Sequence, residues 1–466
     1  MTEFVDGQLP ARPGSAFYFA STFLFTHTDH LEKMHLLVTI LIALVVAGPV
    51  AAQSAGERFT VEGRTVNVDT FNRQVAEILA DASLPALSLA VMDQGEVVFY
   101  HTYGYKQYKR KRNGQLKGKG KVNGQTLFEA CSLSKSFFVL AVHRLVDRQV
   151  LNLDTPLYQY LPYPRLEHDP RYQQITGRMV LSHASGIENW QEDNDGKVLE
   201  IMRDPGTEYV YSGEGYVYLS KVVEKLLGQP VEQYMEALVY EPLDLRRTYT
   251  VYSKNGRRPG NFSTGHDAFL KAYPKSKPAE PNIAGGINTT AYDYARLLIG
   301  IFSGKHLSQS RISDLIGRGT AAEAHYGPGF NVFYNMGDTL LFQHGNNTQF
   351  KGFGGYNFTR HSGVVMFVNG ERGDQVRSSI TKLLFEAAEP EDPLQYPNPV
   401  FTVIKEYNAR GYAAALVKLK AMLAEESKVS GVDLQELETL FKQKEPEFAA
   451  YIAQVLGQRF KTTAGQ

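Results

Sequence analysis

Ser132 and Lys135 stand three residues apart in Phe128-Glu129-Ala130-Cys131-Ser132-Leu133-Ser134-Lys135, at the head of an apolar run that reads as a buried helix over 136–146. That spacing puts a hydroxyl and an ammonium one turn apart on one helical face. A serine in a first helical turn sits beside unpaired backbone N–H groups and the positive end of the helix dipole. Both favour an attacking oxygen and a developing oxyanion. A lysine acts as a base only when neutral. From an ordinary pKa of about 10.4, roughly one in 2,500 is neutral at pH 7, so burial has to bring it down to about 7. The pair alone is weak evidence. Ser379-Ile380-Thr381-Lys382 repeats it at positions that read as solvated, and a lone serine before a helix is more often an N-cap.

The pair needs elements to hold it. Phe71, Val75, Ile78, Leu79 and Ala82 share one helical face, and the apolar runs Ala86–Met92 and Val97–Tyr100 around Asp93-Gln94-Gly95-Glu96 read as a hairpin. Residues 106–121 carry eight Lys or Arg and no acid, without apolar period, and read as an exposed loop. Helical patterns dominate from about 140 to 310. One spans Tyr216–Leu227 before Gly228, and another spans 290–303 with a Thr290-x-x-Asp293 capping box. Strand patterns return at Phe330–Tyr334, Leu340–Gln343 and Val364–Val368, and a last core helix covers Gln375–Ala387. Strands near both ends with helices between them predict an α+β domain, its single antiparallel sheet joining N- and C-terminal strands around a helical insertion. Beyond the prolines at 390, 393, 397 and 399, residues 400–460 read as three or four short amphipathic helices, a small C-terminal appendage.

Of 466 residues, 43% are hydrophobic, which excludes a mainly disordered chain. A single cysteine, Cys131, excludes an intramolecular disulfide and a Cys-rich zinc site. With 49 basic and 49 acidic side chains, the charge gives no support for a nucleic-acid partner. Leu36–Ala47 is apolar apart from Thr39 and too short to span a bilayer. Val50 and Ala52 after it suit signal-peptidase cleavage, so the chain is expected to be exported, periplasmic or secreted. An uncleaved anchor is the alternative, and Met34 is a candidate start. The expected organisation is an N-terminal extension and signal peptide over 1–52, a catalytic domain over 53–389 and the appendage over 390–466.

Tyr211-Ser212-Gly213 after Pro205-Gly206-Thr207, and His344-Gly345-Asn346 at the end of a predicted strand, complete an ordered set with Ser132-x-x-Lys135. With Leu151–Pro156, Val180–Gly186 and Ala284-Gly285-Gly286, the set resembles the serine β-lactamase and penicillin-binding superfamily, nearest its class C β-lactamase and esterase branch. The resemblance covers about residues 69–388 and implies the β-lactamase-like fold. It implies Ser132 as the acylated nucleophile and Lys135 as its proton acceptor. Tyr211 would be the phenol that relays the proton, its pKa lowered by the lysine charge. The backbone N–H groups of Ser132 and Asn347 would form the oxyanion hole, and His344, Gly345, Asn346 and Gly213 would line the substrate site.

Two departures bear on the substrate. Gly213 stands where the family has an Asn amide that grips a β-lactam or peptide, and Asn346 stands where it has a glycine. Both favour an esterase or peptidase-like activity over β-lactam destruction. The alternatives are a true class C-like β-lactamase and a non-catalytic sensor of peptidoglycan fragments. The implied partners are a small ester, amide or β-lactam substrate, with cell-wall fragments among the candidates, and no metal or organic cofactor is implied. His183 reads as a structural turn residue, Cys131 as a packed one, and Trp190 as either cleft lining or packing.

Overall fold

A computed structural model describes residues 57–459, apart from 113, 191–197, 251–259, 275–279, 318, 320–324, 386–397 and 426–427. The expected targeting segment lies outside the described residues. The chain opens with a short hairpin, β1 (Arg58–Val61) and β2 (Arg64–Asn67), and helix α1 (Val68–Asp81), whose first turn is capped by the Asn67 side chain. Then come β3 (Ala86–Asp93), β4 (Glu96–Arg110) and β5 (Leu116–Lys121). The basic stretch is therefore no loop. Its two arms pair antiparallel as the end of a long ribbon, and its lysines protect an exposed sheet edge rather than mark irregular chain.

The inserted region starts after β6 (Phe128–Glu129) with α2 (Ser134–Asp147) and continues through α3 (Gly177–Leu181), α4 (Gly213–Leu227) and α5 (Val231–Met235). It closes with β7 (Asn288–Thr289), which pairs with β6, followed by α6 (Ala291–Phe302) and α7 (Gln309–Ile316). The sheet is completed by β8 (Asn331–Asn335), β9 (Asp338–Asn346), β10 (Lys351–Asn357) and β11 (Ser362–Val368). Its order is β5-β4-β3-β11-β10-β9-β8, and every neighbouring pair is antiparallel. The sequence pattern misses β10, because three glycines in Lys351–Asn357 erase any strand signal. Packing demands at least one of them: a Cβ at Gly354 would come within 2.3 Å of the Tyr294 ring.

Each sheet face carries its own core. Ala90, Met92, Val365 and Phe367 face the inserted helices, where Phe137, Tyr216 and Tyr294 are fully buried. Leu87, Leu89, Val91, Val364 and Met366 face α1 and the helix α8 (Arg377–Leu384). The sequence-predicted last core helix begins at Gln375, but residues 373–376 form a tighter 3₁₀ turn before α8. Among the described residues no helix is long and apolar enough to cross a membrane.

Four tail helices follow: α9 (Pro399–Arg410), α10 (Tyr412–Leu423), α11 (Gly431–Phe441) and α12 (Pro446–Arg459). They share a small core with Ala268 and Phe269, Phe401 reaches into the core of α1 and α8, and Glu436 pairs with the buried Arg372. We propose that this tail is a stabilising appendage. A chain ending at Glu391 is then expected to keep Ser132 reactivity and to melt at lower temperature, since Phe269 and the hollow left by Phe401 become wet. Melting curves and covalent labelling check this. A folded chain that no longer labels would show that the tail shapes the cleft.

Candidate active site

Ser132 lies at the seam between the sheet and the inserted helices. Residues Cys131–Leu133 form a 3₁₀ turn that runs directly into α2, and Ser132 caps nothing: neither helical start has a side-chain cap. Cys131 takes a left-handed backbone (φ 51°), a costly conformation for a non-glycine residue and one that bends the chain sharply before the nucleophile. Its thiol is buried against the carbonyls of Glu129 and Phe350, both 3.5 Å away, as a packed residue. Gly345 of β9 makes the seam possible. A Cβ there would meet Cys131 Cβ at 2.8 Å, the Ala130 carbonyl at 2.9 Å and Leu133 Cδ1 at 2.9 Å.

Three polar atoms converge at the turn. The Tyr211 hydroxyl donates to Ser132 Oγ (2.6 Å), and Lys135 Nζ donates to the Tyr211 oxygen (2.7 Å), to the Ala284 carbonyl (2.7 Å) and, at 3.4 Å, to Ser132 Oγ. Lys135 is 1% exposed, and among the described residues it has no carboxylate partner. Burial brings its pKa down to about 7, opposed only by the nearby Cys131 thiol. The Tyr211 phenol moves the other way from the sequence expectation. Burial raises its pKa, with the Ser132 hydrogen bond pulling it partly back. Desolvation of a phenolate in this buried position is the larger effect.

His183 was legible only as a turn residue, yet its ring lies against Tyr211, with centroids 4.2 Å apart. Its Nδ1 accepts the Ser212 N–H (3.1 Å), which places the ring proton on Nε2. Burial first, and then the Lys135 charge, hold the imidazole neutral, well below its usual range. With Tyr216, whose ring centroid is 5.5 Å from the amine, it covers Lys135 on this side, and Tyr326 packs edge-on against the imidazole. The Ala284 carbonyl is a second site group that no candidate set contained. Its signal was the Ala284-Gly285-Gly286 segment, which the Asn347 amide ties down by donating to the Gly285 carbonyl (3.1 Å) and Glu129 (2.9 Å).

Strand alternation corrects two expectations, and a turn just beyond the strand corrects a third. Leu341, Gln343 and Gly345 face the inserted helices, so His344 and Asn346 project from the opposite side of β9. His344 sits against Phe342 and Phe353 with Arg377 2.9 Å from its Nδ1, away from Ser132. Asn346 does not crowd the nucleophile, because its side chain is occupied by the Thr348 N–H (2.9 Å) and Lys351 (2.7 Å). The glycine that the close approach requires is Gly345. The backbone N–H of Asn347 closes a turn on the Phe350 carbonyl (3.1 Å) and does not point into an oxyanion hole. Ser132's own N–H, in the first turn, remains the candidate donor.

At Gly213, the first residue of α4, the N–H donates to Asn189 Oδ1 (2.9 Å), and the Trp190 indole lies directly over the α-carbon. The second Ser-x-x-Lys pair, Ser379 and Lys382, lies on α8 across the sheet.

The family model for beta-lactamase matches residues 71–389. The chain belongs to the beta-lactamase family. An N-acetylmuramyl-L-alanine amidase of Bacillus subtilis is 27% identical over 246 residues, covering 46% of this chain and 54% of that protein's length. The chain thus spans about half of that relative. Among solved structures, a penicillin-binding protein homologue from Pyrococcus abyssi aligns with a TM-score of 0.55 at 20% identity, over 80% of this chain and 82% of the other. A D-amino acid amidase from Ochrobactrum anthropi aligns at 0.54 and 19%, over 68% and 98%. These likenesses establish the beta-lactamase-like fold, the antiparallel sheet flanked by helices that the resemblance implied.

Proposed function

We propose that the chain is a serine hydrolase that forms an acyl-enzyme at Ser132 and acts on small ester- or amide-linked acyl groups, cell-wall fragments among them. Lys135 carries the reading. It is a buried amine, without a carboxylate partner among the described residues, poised near pH 7 and within reach of both Tyr211 and Ser132. About half of it is neutral at pH 7. With Lys135 neutral, the Ser132 and Tyr211 hydroxyl hydrogens turn to point along the path, and as Ser132 Oγ attacks a carbonyl carbon its proton passes to the Tyr211 oxygen while the Tyr211 proton passes to Lys135 Nζ. The Ser132 N–H faces the developing oxyanion. Collapse breaks the ester or amide bond, and the leaving group takes a proton back along the same path. Water then repeats the sequence on the acyl-enzyme and frees the acid.

Absence of a side-chain amide at Gly213 supports esters and simple amides over β-lactams, and the amidase names of two relatives point the same way. A lost hydrogen bond to a buried substrate group is worth about 0.5–1.5 kcal/mol. Nitrophenyl acetate and butyrate are therefore expected to be cleaved with higher kcat/KM than nitrocefin. A tenfold advantage for nitrocefin would restore the β-lactamase reading. Intact mass after a fluorophosphonate, and separately a penicillin, tests the acyl-enzyme itself, and a protein that neither labels nor turns over ester is a binder. Export is part of the proposal, supported by the apolar run Leu36–Ala47 and the small residues Val50 and Ala52.

A further inference from the structure

We propose that Trp190 and Asn189, laid over Gly213, form an acyl-side subsite that selects substrates whose acyl group carries an aromatic ring. The inference rests on the Ser132 reading and names the substrate class of that site. A Cβ at residue 213 would fall 2.0 Å from Trp190 Cζ2, 2.4 Å from Cε2 and 2.7 Å from Cη2, so the indole occupies the space of the missing side chain. That space borders the nucleophile. Ser212 is extended (φ −138°, ψ 115°), which sends the directions of residues 211 and 213 to the same side of the chain, and Tyr211 is 2.6 Å from Ser132 Oγ.

The indole is not buried packing. Trp190 is 45% exposed, resting on a glycine and leaving ring surface in water, an arrangement that suits a platform for a second flat ring. Asn189 adds direction. Its Oδ1 accepts the Gly213 N–H, which fixes a side-chain amide, with its Nδ2 donors, at residue 213. The amide lost at residue 213 thus has a neighbour that carries one, next to an aromatic face. An acyl group with a ring to stack and a carbonyl to accept matches both.

Trp190 is the only tryptophan in the chain, so its emission reports occupancy of this subsite without turnover. In the full-length Ser132→Ala protein, N-acetylphenylalaninamide is expected to change that emission saturably at concentrations at least tenfold lower than N-acetylalaninamide. Gly213→Ala, whose Cβ must displace the indole, is expected to abolish the difference. With Ser132 intact, the ratio of kcat/KM for nitrophenyl phenylacetate over nitrophenyl acetate is expected to fall about tenfold in Trp190→Ala, or 1.4 kcal/mol, and to persist in Trp190→Phe. Equal emission responses to the two amides, or a ratio unmoved by Trp190→Ala, would overturn the subsite. An emission response in a protein that cleaves neither ester would uphold the subsite and refute the hydrolase.

Discussion

Ser132→Ala is expected to abolish covalent labelling by a fluorophosphonate and to lower ester turnover by at least about 10³-fold, the scale seen when a nucleophile is removed. No neighbour can take over. Cys131, the adjacent nucleophilic side chain, is turned by its left-handed backbone toward the carbonyls of Glu129 and Phe350, and Lys135 is spent on Tyr211 and Ala284. Ser379→Ala removes the same residue type from the same four-residue pattern. It is expected to leave both measurements within twofold, because α8 covers the far face of the sheet. Intact-mass labelling and ester kinetics on both variants decide the matter, and undiminished labelling of Ser132→Ala would refute the assignment.

Lys135→Ala and Tyr211→Phe are each expected to cut turnover by roughly 10² to 10⁴, the usual range for general acid–base groups. The shortest proton path runs from Ser132 through the Tyr211 oxygen to Lys135, so either loss breaks one chain, and the double variant should fall little further than the worse single one. Multiplying losses would show that the path is drawn wrongly. The same geometry sets the pH dependence. Lys135 is a base only when neutral, and burial holds its pKa near 7. Thus kcat/KM is expected to be level above about pH 8 and to fall tenfold per pH unit below about 6. Lys135→Arg is not expected to rescue activity, because a guanidinium stays charged throughout. A wild-type profile still rising at pH 9 would show that the lysine is not depressed.

Much of this was legible in one dimension because it is local. Helix α2 and its Ser-x-x-Lys head, the Thr290 cap of α6, the hairpin of β3 and β4 and the strand patterns of β8, β9 and β11 are written in spacings of two to four residues. The ordered motifs were enough to imply the family fold, and they named Ser132, Lys135 and Tyr211, which the structure brings within 3.4 Å of one another. What the sequence could not decide depends on which side of an element a residue faces and on what lies opposite. A single residue of strand register turns His344 and Asn346 away from the nucleophile and puts Gly345 against it. Strand β10 was hidden because its glycines answer to packing rather than to local pattern, Gly354 to the ring of Tyr294 about sixty positions away. The ring of His183 on Tyr211 and the indole of Trp190 over Gly213 are likewise meetings of distant segments. Burial itself, which sets the Lys135 and Tyr211 proton affinities in opposite directions, exists only once those segments have closed over the amine. Desolvation is a property of the assembled interior rather than of any stretch of chain.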